Sequence, residues 1–346
     1  MYVAPRPEYD DDPWFAVRLA LLPVIGFVMG MLLQSPMPMI YPVLLFSLPA
    51  SARKAFNPGR NFGAPVMFSG MLWIMSWVVV FFGPIPLTLI LIIGLIYFAG
   101  FYLIQVTGSA VGMLIIVAAA LMSIMGLGSY DSMAWLRSEM TKAAFISAIV
   151  APVLHMLMPV RTTEIHEDVY DPAEPDGRAI RAGIRAVVLL AYTLFLYTFI
   201  DFGNIMLAVA GMFVLVFTTR ESIWRETAQR SFSVILGGVM ALIVLGALSL
   251  VGHLFVLLGL VFLMTLWACH KMQTGKLPSM AYQDAASIMI SMVGSALATS
   301  DPTWAFMQRA ALTMVATVIS AMVVIWLDQL LTGRTARHVS EVAGSV

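Results

Sequence analysis

Charge is scarce in this sequence. Only 11% of the 346 residues are Asp, Glu, Lys or Arg, against about 25% in an ordinary soluble chain, while 60% are hydrophobic. That shortage points to an integral membrane protein. The 19 basic and 19 acidic residues cancel, and the basic ones are dispersed between apolar stretches, so nucleic-acid binding has no electrostatic basis. Cysteine occurs once, at Cys269, which excludes an internal disulfide and suggests no thiolate metal site. Neither His-Glu-x-x-His nor Gly-x-Ser-x-Gly is present, so an enzyme is not expected, and no catalytic residue, cofactor or metal is assigned. A leading basic region is missing too. Met1 to Pro13 carries Glu8, Asp10, Asp11 and Asp12, the wrong charge for the start of a cleavable signal peptide, and the first span should remain as an anchor.

What fills the chain is apolar runs of bilayer-spanning length. Windows of about 17 to 25 residues give six candidates in each half. They lie near 16–33, 36–50, 62–82, 85–105, 108–128 and 140–159, then 183–200, 204–218, 231–251, 254–271, 278–299 and 306–327. The halves are related. Arg18 recurs as Arg185, Arg53 as Arg220 and Gly108 as Gly275, with Lys142 matched by Arg309, each pair 167 positions apart. The expected fold is therefore all-α, about 12 transmembrane helices in two six-helix repeats. Residues 1–160 form the first repeat, 161–181 a cytoplasmic linker, 182–333 the second repeat and 334–346 a cytoplasmic tail.

With both termini in the cytoplasm, 16 of the 19 Lys and Arg lie inside, and only Arg137, Lys142 and Arg309 outside, as the positive-inside rule favours. Six spans per half then make the repeat parallel, a construction common among secondary transporters, whose site lies where the halves meet. The linker carries His166 with Glu164, Glu167 and Asp168, but without the ligand spacing of a known metal site; it reads as a solvated face. Gly26 and Gly30, spaced Gly-x-x-x-Gly, permit close helix approach within or between subunits, and a homo-oligomer is expected.

The repeat has a recurring texture. An Arg opens the first span (Ala16-Val17-Arg18-Leu19-Ala20), and a short second span ends in Ser51-Ala52-Arg53-Lys54-Ala55-Phe56, matched by Thr218-Thr219-Arg220-Glu221-Ser222-Ile223. Arg60 or Arg230 then precedes the third span, Gly-rich in the second copy at Gly237-Gly238. This resembles the fusaric-acid-resistance-like (FUSC) family of aromatic acid exporters, over both halves. Many members carry a large cytoplasmic domain between the halves where this chain has only a short linker, so it looks like the compact branch. The resemblance implies a bacterial inner-membrane, multi-pass protein that exports small aromatic or amphipathic carboxylates on the proton gradient, with a periplasmic adaptor of the membrane-fusion type. Arg18, Arg53, Arg185 and Arg220 are read as structural residues of the cytoplasmic loops.

Lys142 and Arg309 are the leading transport candidates. Each sits near the outer end of the last span of its half, downstream of an acidic residue and a Trp: Asp131 with Trp135, and Asp301 with Trp304. A cation kept on the disfavoured side could draw an organic anion outward while the Trp offers a π face. The alternative is an interfacial Trp belt with a basic side chain that snorkels or pairs with the nearby Asp. Asp284, inside the eleventh span, is the candidate proton carrier, with His155 a second titrating group that is otherwise a packed histidine.

The second span holds Pro36, Pro38, Pro42 and Pro49 around Tyr41, and its counterpart opens on Gly203-Asn204. Short or broken segments at matching places, here marked by Tyr41, Pro42 and Asn204, point to a site near the midplane. Rival readings are a major-facilitator-like carrier, whose loop after the second span would be Gly- and Asp-rich, and a non-transporting scaffold for an adaptor.

Overall fold

The structure is a computed structural model that describes residues 6–50, 55–108, 111–164, 177–199 and 220–297, with 318–319, 322–324 and 326–327 beyond them. Apolar chain in a bilayer must satisfy its backbone internally, which leaves helices as the only open-ended solution. The described residues of 318–327 are helical, and no strand forms among the described residues. Ten helices run through the described residues up to 297. They are α1 (Phe15–Leu32), α2 (Ile40–Ala50), α3 (Pro58–Phe82), α4 (Pro86–Thr107) and α5 (Val111–Gly128), followed by α6 (Tyr130–Leu157), α7 (Arg178–Phe199), α8 (Arg220–Val251), α9 (Leu254–Thr274) and α10 (Ser279–Ala296).

Their ends follow from local chemistry. Asn57 caps α3, accepting from the Arg60 N–H at 3.2 Å, and Pro58 takes the first position, where its missing donor costs nothing. Ser129 caps α6 in the same way, through the Ser132 N–H at 3.4 Å. α4 stops at Gly108, whose left-handed φ of 66° suits only a residue without a side-chain penalty. Pro36 and Pro38 keep the chain between α1 and α2 out of helix.

Seven of these helices are long and apolar enough to cross a membrane: α1, α3, α4, α5, α6, the Glu226–Val251 part of α8, and α9. The chain is thus a multi-pass helical membrane protein. The sequence reading of about 12 crossings exceeds what the described residues hold, for identifiable reasons. α2 has 11 helical residues, about 16 Å of rise, roughly half the hydrocarbon thickness. α10 carries Gln283, Asp284 and four serines in 18 residues, which lowers its hydropathy. The stretch 204–218 lies outside the described residues, as do 165–176 of the linker and most of 306–327.

Two apolar cores organise the packing. One gathers α3, α4, α5 and the first half of α6 around the nearly wholly buried α5, and it takes in Ala182, Ile184 and Leu189 of α7. The other joins α8, α9 and α10 with Phe15, Leu19, Leu22 and Phe27 of α1. α1 therefore packs on α9, while α7 packs on α4 and α5. α1 and α7 each pack with helices far from them in the sequence. α2 lies between them, against α1, α6 and α10. Gly26 makes this possible: a Cβ there would stand 2.6 Å from the Pro42 nitrogen and 2.9 Å from the Tyr41 carbonyl carbon. The Gly-x-x-x-Gly spacing thus packs helices inside the chain.

Polar ties between helices are few and local to the seams, as in other bilayer bundles. Asn61 Nδ2 donates to the Ala148 carbonyl at 3.0 Å between α3 and α6, Tyr97 and Thr193 hydroxyls meet at 3.1 Å between α4 and α7, and Ser233 Oγ donates to the Ala281 carbonyl at 2.9 Å between α8 and α10. The segment before α1 bridges both groups. Arg6 donates to the carbonyls of Gly275 and Leu277 beyond α9, Gln273 Nε2 donates to the Asp12 carbonyl at 3.3 Å, and the Arg161 N–H donates to the Asp11 carbonyl at 3.0 Å.

Candidate functional site

Where α1 has ended and α2 has not yet begun, a carboxylate from α6 fills the gap. Glu139 lies nine residues beyond Tyr130, about 14 Å of helix rise from the start of α6, and is 4% exposed. Its Oε2 accepts from Ser35 Oγ at 2.6 Å, in the proline-bounded break, and from Tyr41 Oη at 2.8 Å, in the first turn of α2. Its Oε1 accepts from Lys142 Nζ at 2.7 Å, one turn further along α6. Three donors on one carboxylate offset much of the cost of holding charge inside a bilayer. They are not equivalent. Ser35 and Tyr41 are neutral and enclosed by the fold, whereas the Lys142 side chain is 54% exposed and free to leave. The arrangement can therefore change partner without changing helix positions.

The sequence candidates distribute as follows. Lys142 and Tyr41 meet through Glu139, and Pro42 sits in the same first turn of α2, buried against Gly26. Lys142 pairs with Glu139, while Asp131 stands exposed in the first turn of α6, about three turns from Lys142. Trp135 is half-buried on α6. Arg309, Trp304, Asn204 and Arg53 lie outside the described residues, and so does the side chain of Arg220, the first residue of α8.

Asp284 lies five residues into α10 and faces α8, where its charge acts on Glu226, itself ion-paired to Arg230 Nε at 2.9 Å. Carboxylates from two helices thus share one seam there. His155 is fixed in the last turn of α6, its Nδ1 2.8 Å from the Ala151 carbonyl and its ring 4.8 Å from that of Phe56. That is the environment of a packed histidine.

Arg18 and Arg185 are helical and buried rather than in a loop. Arg18 pairs with Asp12 and donates to the Met158 carbonyl at 2.9 Å; Arg185 donates to the Arg181 carbonyl at 3.0 Å. Burial raises the Asp12 carboxyl above the ordinary aspartate value, and the Arg18 guanidinium draws it partly back.

Glu139 is the residue that sequence reasoning missed. The sixth span was drawn at 140–159, one position past it, whereas α6 starts at Tyr130 and runs for 28 residues. Its signal is the i, i+3 spacing to Lys142. Arg137 was likewise assigned only to the outer face. It reaches across to α3, with Cζ 3.8 Å from the Trp73 ring centre and Nη1 donating to Ser76 Oγ at 2.6 Å. No protein-family model, curated protein or solved structure matches the chain.

Proposed function

We propose that this chain is a proton-coupled secondary carrier of small amphipathic or aromatic carboxylates, with Glu139 as its proton-binding group. The observation that carries this is a buried carboxylate, held by two neutral hydroxyls and one displaceable ammonium, at a break in the helical layer. Ionised, Glu139 keeps Lys142 occupied. A proton arriving from the outer side neutralises the carboxyl, which Ser35 and Tyr41 still hold, and releases the ammonium to attract the departing anion. Loss of that proton inward restores the pair and closes the exit. Proton entry and anion exit are then linked, the balance an exporter needs.

Two six-helix halves in one orientation fit the same reading. α4 and α9 begin and end 168 and 167 positions apart, and α5 and α10 are displaced by 168 at both ends. Gly108 and Gly275 close the equivalent helices, their N–H groups bonded to Ile104 and Lys271 carbonyls. Neighbours repeat as well: α4 with α5 and α9 with α10, α3 with α5 and α8 with α10. The crossed contacts, α1 on α9 and α7 on α4, are the pair that a twofold axis along the membrane normal would exchange.

The basic-residue bias supports a cytoplasmic location for both termini in this proposal. The resemblance to FUSC exporters adds a bacterial inner membrane and a periplasmic adaptor to this proposal. Reconstitution in liposomes tests it. With a proton gradient imposed, Glu139→Gln should abolish gradient-driven efflux of an aromatic carboxylate such as benzoate while leaving the protein folded. Efflux at the wild-type rate would remove Glu139 from the mechanism, and Asp284→Asn in parallel separates it from the α8–α10 carboxylates.

A further inference from the structure

Arg18 lies three residues into α1, about 4.5 Å of rise from its start, and is 4% exposed. Its guanidinium grips the Asp12 carboxylate at two points, Nη1 donating to Oδ1 at 3.3 Å and Nη2 to Oδ2, while Nη1 also donates to the Met158 carbonyl at 2.9 Å. The same guanidinium closes one end of a cavity of about 10 Å³, room for about one water. Phe15, Leu19 and Leu22 of α1, Pro49 of α2 and Leu154 of α6 supply its apolar walls. Leu22 is about 10 Å into α1, so the walls run deeper into the bilayer than the cation. That is the polarity of an amphipathic carboxylate, head at the membrane surface and body inside.

The cation belongs to the repeat and the carboxylate does not. Arg18 recurs as Arg185, whereas the counterpart of Asp12, 167 positions on, is Ala179. Asp12 comes from a strap, residues 6–14, whose other ties are all to main-chain carbonyls. Arg6 donates to the Gly275 and Leu277 carbonyls, the second at 2.6 Å, at the negative end of α9; Gln273 Nε2 holds the Asp12 carbonyl at 3.3 Å, and the Arg161 N–H holds the Asp11 carbonyl at 3.0 Å. Arg6 and Arg161 are exposed, so water can replace their bonds at small net cost. The buried guanidinium has no such freedom: without a carboxylate it is an unpaired charge.

We propose that the Arg18 cavity is a binding site for a small organic carboxylate arriving from the membrane surface where α1 begins, and that Asp12 occupies it as a built-in stand-in. The incoming carboxylate takes over the two-point grip, the strap leaves the turn between α9 and α10, and Phe15, the next wall residue, moves aside to admit the apolar body. Exchanging one carboxylate for another leaves the charge of the site unchanged. The substrate class rests on the transport reading. Occupancy of Arg18 does not, since neither Glu139 nor Lys142 takes part in it.

The test uses the full chain in detergent with no gradient. Calorimetry follows binding of benzoate, with benzamide as its uncharged isostere. Wild type should bind benzoate and not benzamide. Asp12→Asn, which frees the guanidinium, should bind benzoate at least tenfold more tightly than wild type, and adding Arg18→Gln to it should abolish binding. Arg6→Ala, with the ion pair intact, should tighten benzoate at least threefold. In wild type, saturating benzoate should speed hydrogen exchange at the Asp12 and Arg161 N–H groups, bonded to the Glu8 and Asp11 carbonyls, at least tenfold. Absent benzoate binding, equal binding of benzamide, an affinity unmoved by Asp12→Asn, or binding that leaves both amides protected overturns the proposal. An unchanged Arg6→Ala overturns the strap. Should the Asp12 variants fail to fold, Arg6→Ala and the exchange measurement still decide the matter. Arg18-dependent binding in a chain without gradient-driven efflux would sink the transport reading and keep this site; efflux without such binding would do the reverse.

Discussion

Two hydroxyls and an ammonium converge on Glu139, and their unequal exposure sets what each substitution does. Tyr41→Phe removes one neutral donor from a carboxylate that keeps two others. It should lower stability by about 1 kcal/mol, the scale of hydrogen bonds between helices in bilayers, read as a modest fall in midpoint on thermal unfolding in detergent. Transport should persist, because Ser35 and Lys142 still hold the carboxylate. Lys142→Gln is different. It should leave folding nearly unchanged, because the side chain is largely exposed, while slowing anion efflux several-fold in liposomes. Sequence reading could find Lys142 and Tyr41, since a basic residue and a proline-flanked aromatic stand out against an apolar background. Glu139 was hidden by a boundary drawn on hydropathy, which cannot see that a carboxylate has partners. Arg137 on Trp73 was invisible for another reason: a contact between residues 64 apart has no spacing rule.

Helix existence was legible and helix role was not. Long apolar runs announce themselves because a bilayer leaves the backbone no other arrangement, and the prolines announce the shortness of α2. The close seam between α1 and α2 depends instead on which glycine faces a backbone. Gly26 and Gly63 are both helical glycines, yet an added methyl meets Pro42 at the first and nothing within 4 Å at the second. Gly26→Ala should therefore destabilise by about 1–3 kcal/mol through overpacking, and the break that holds Ser35 and Tyr41 should loosen with it. Gly63→Ala should be neutral or stabilising by up to about 1 kcal/mol, from helix propensity alone. Parallel unfolding of the two variants in one detergent checks the contrast; equal effects would mean that the Gly26 seam is not tight.

At the scale of the whole molecule, each core takes in residues from distant parts of the chain, most visibly α7 in the first and α1 in the second. Hydropathy could not foretell this, because apolar helices in lipid gain little from choosing one apolar neighbour over another; shape and seam contacts decide. A break in the polypeptide within 165–176 gives a direct readout. Two co-expressed pieces ending and starting there should assemble into one complex that survives detergent and purifies on a tag placed on either piece. Each piece expressed alone should be degraded or aggregate, since α1 lacks α9 and α7 lacks α4. Stable accumulation of either piece by itself would contradict the crossed packing.

The crossing also sets a timetable for biogenesis. α1 leaves the ribosome roughly 240 residues before α9, which at about 5–20 residues per second is some ten to fifty seconds. Over that interval the α1 face that will meet α9 has no permanent neighbour, so the insertion machinery or the surrounding lipid must shelter it until the last third of the chain is made.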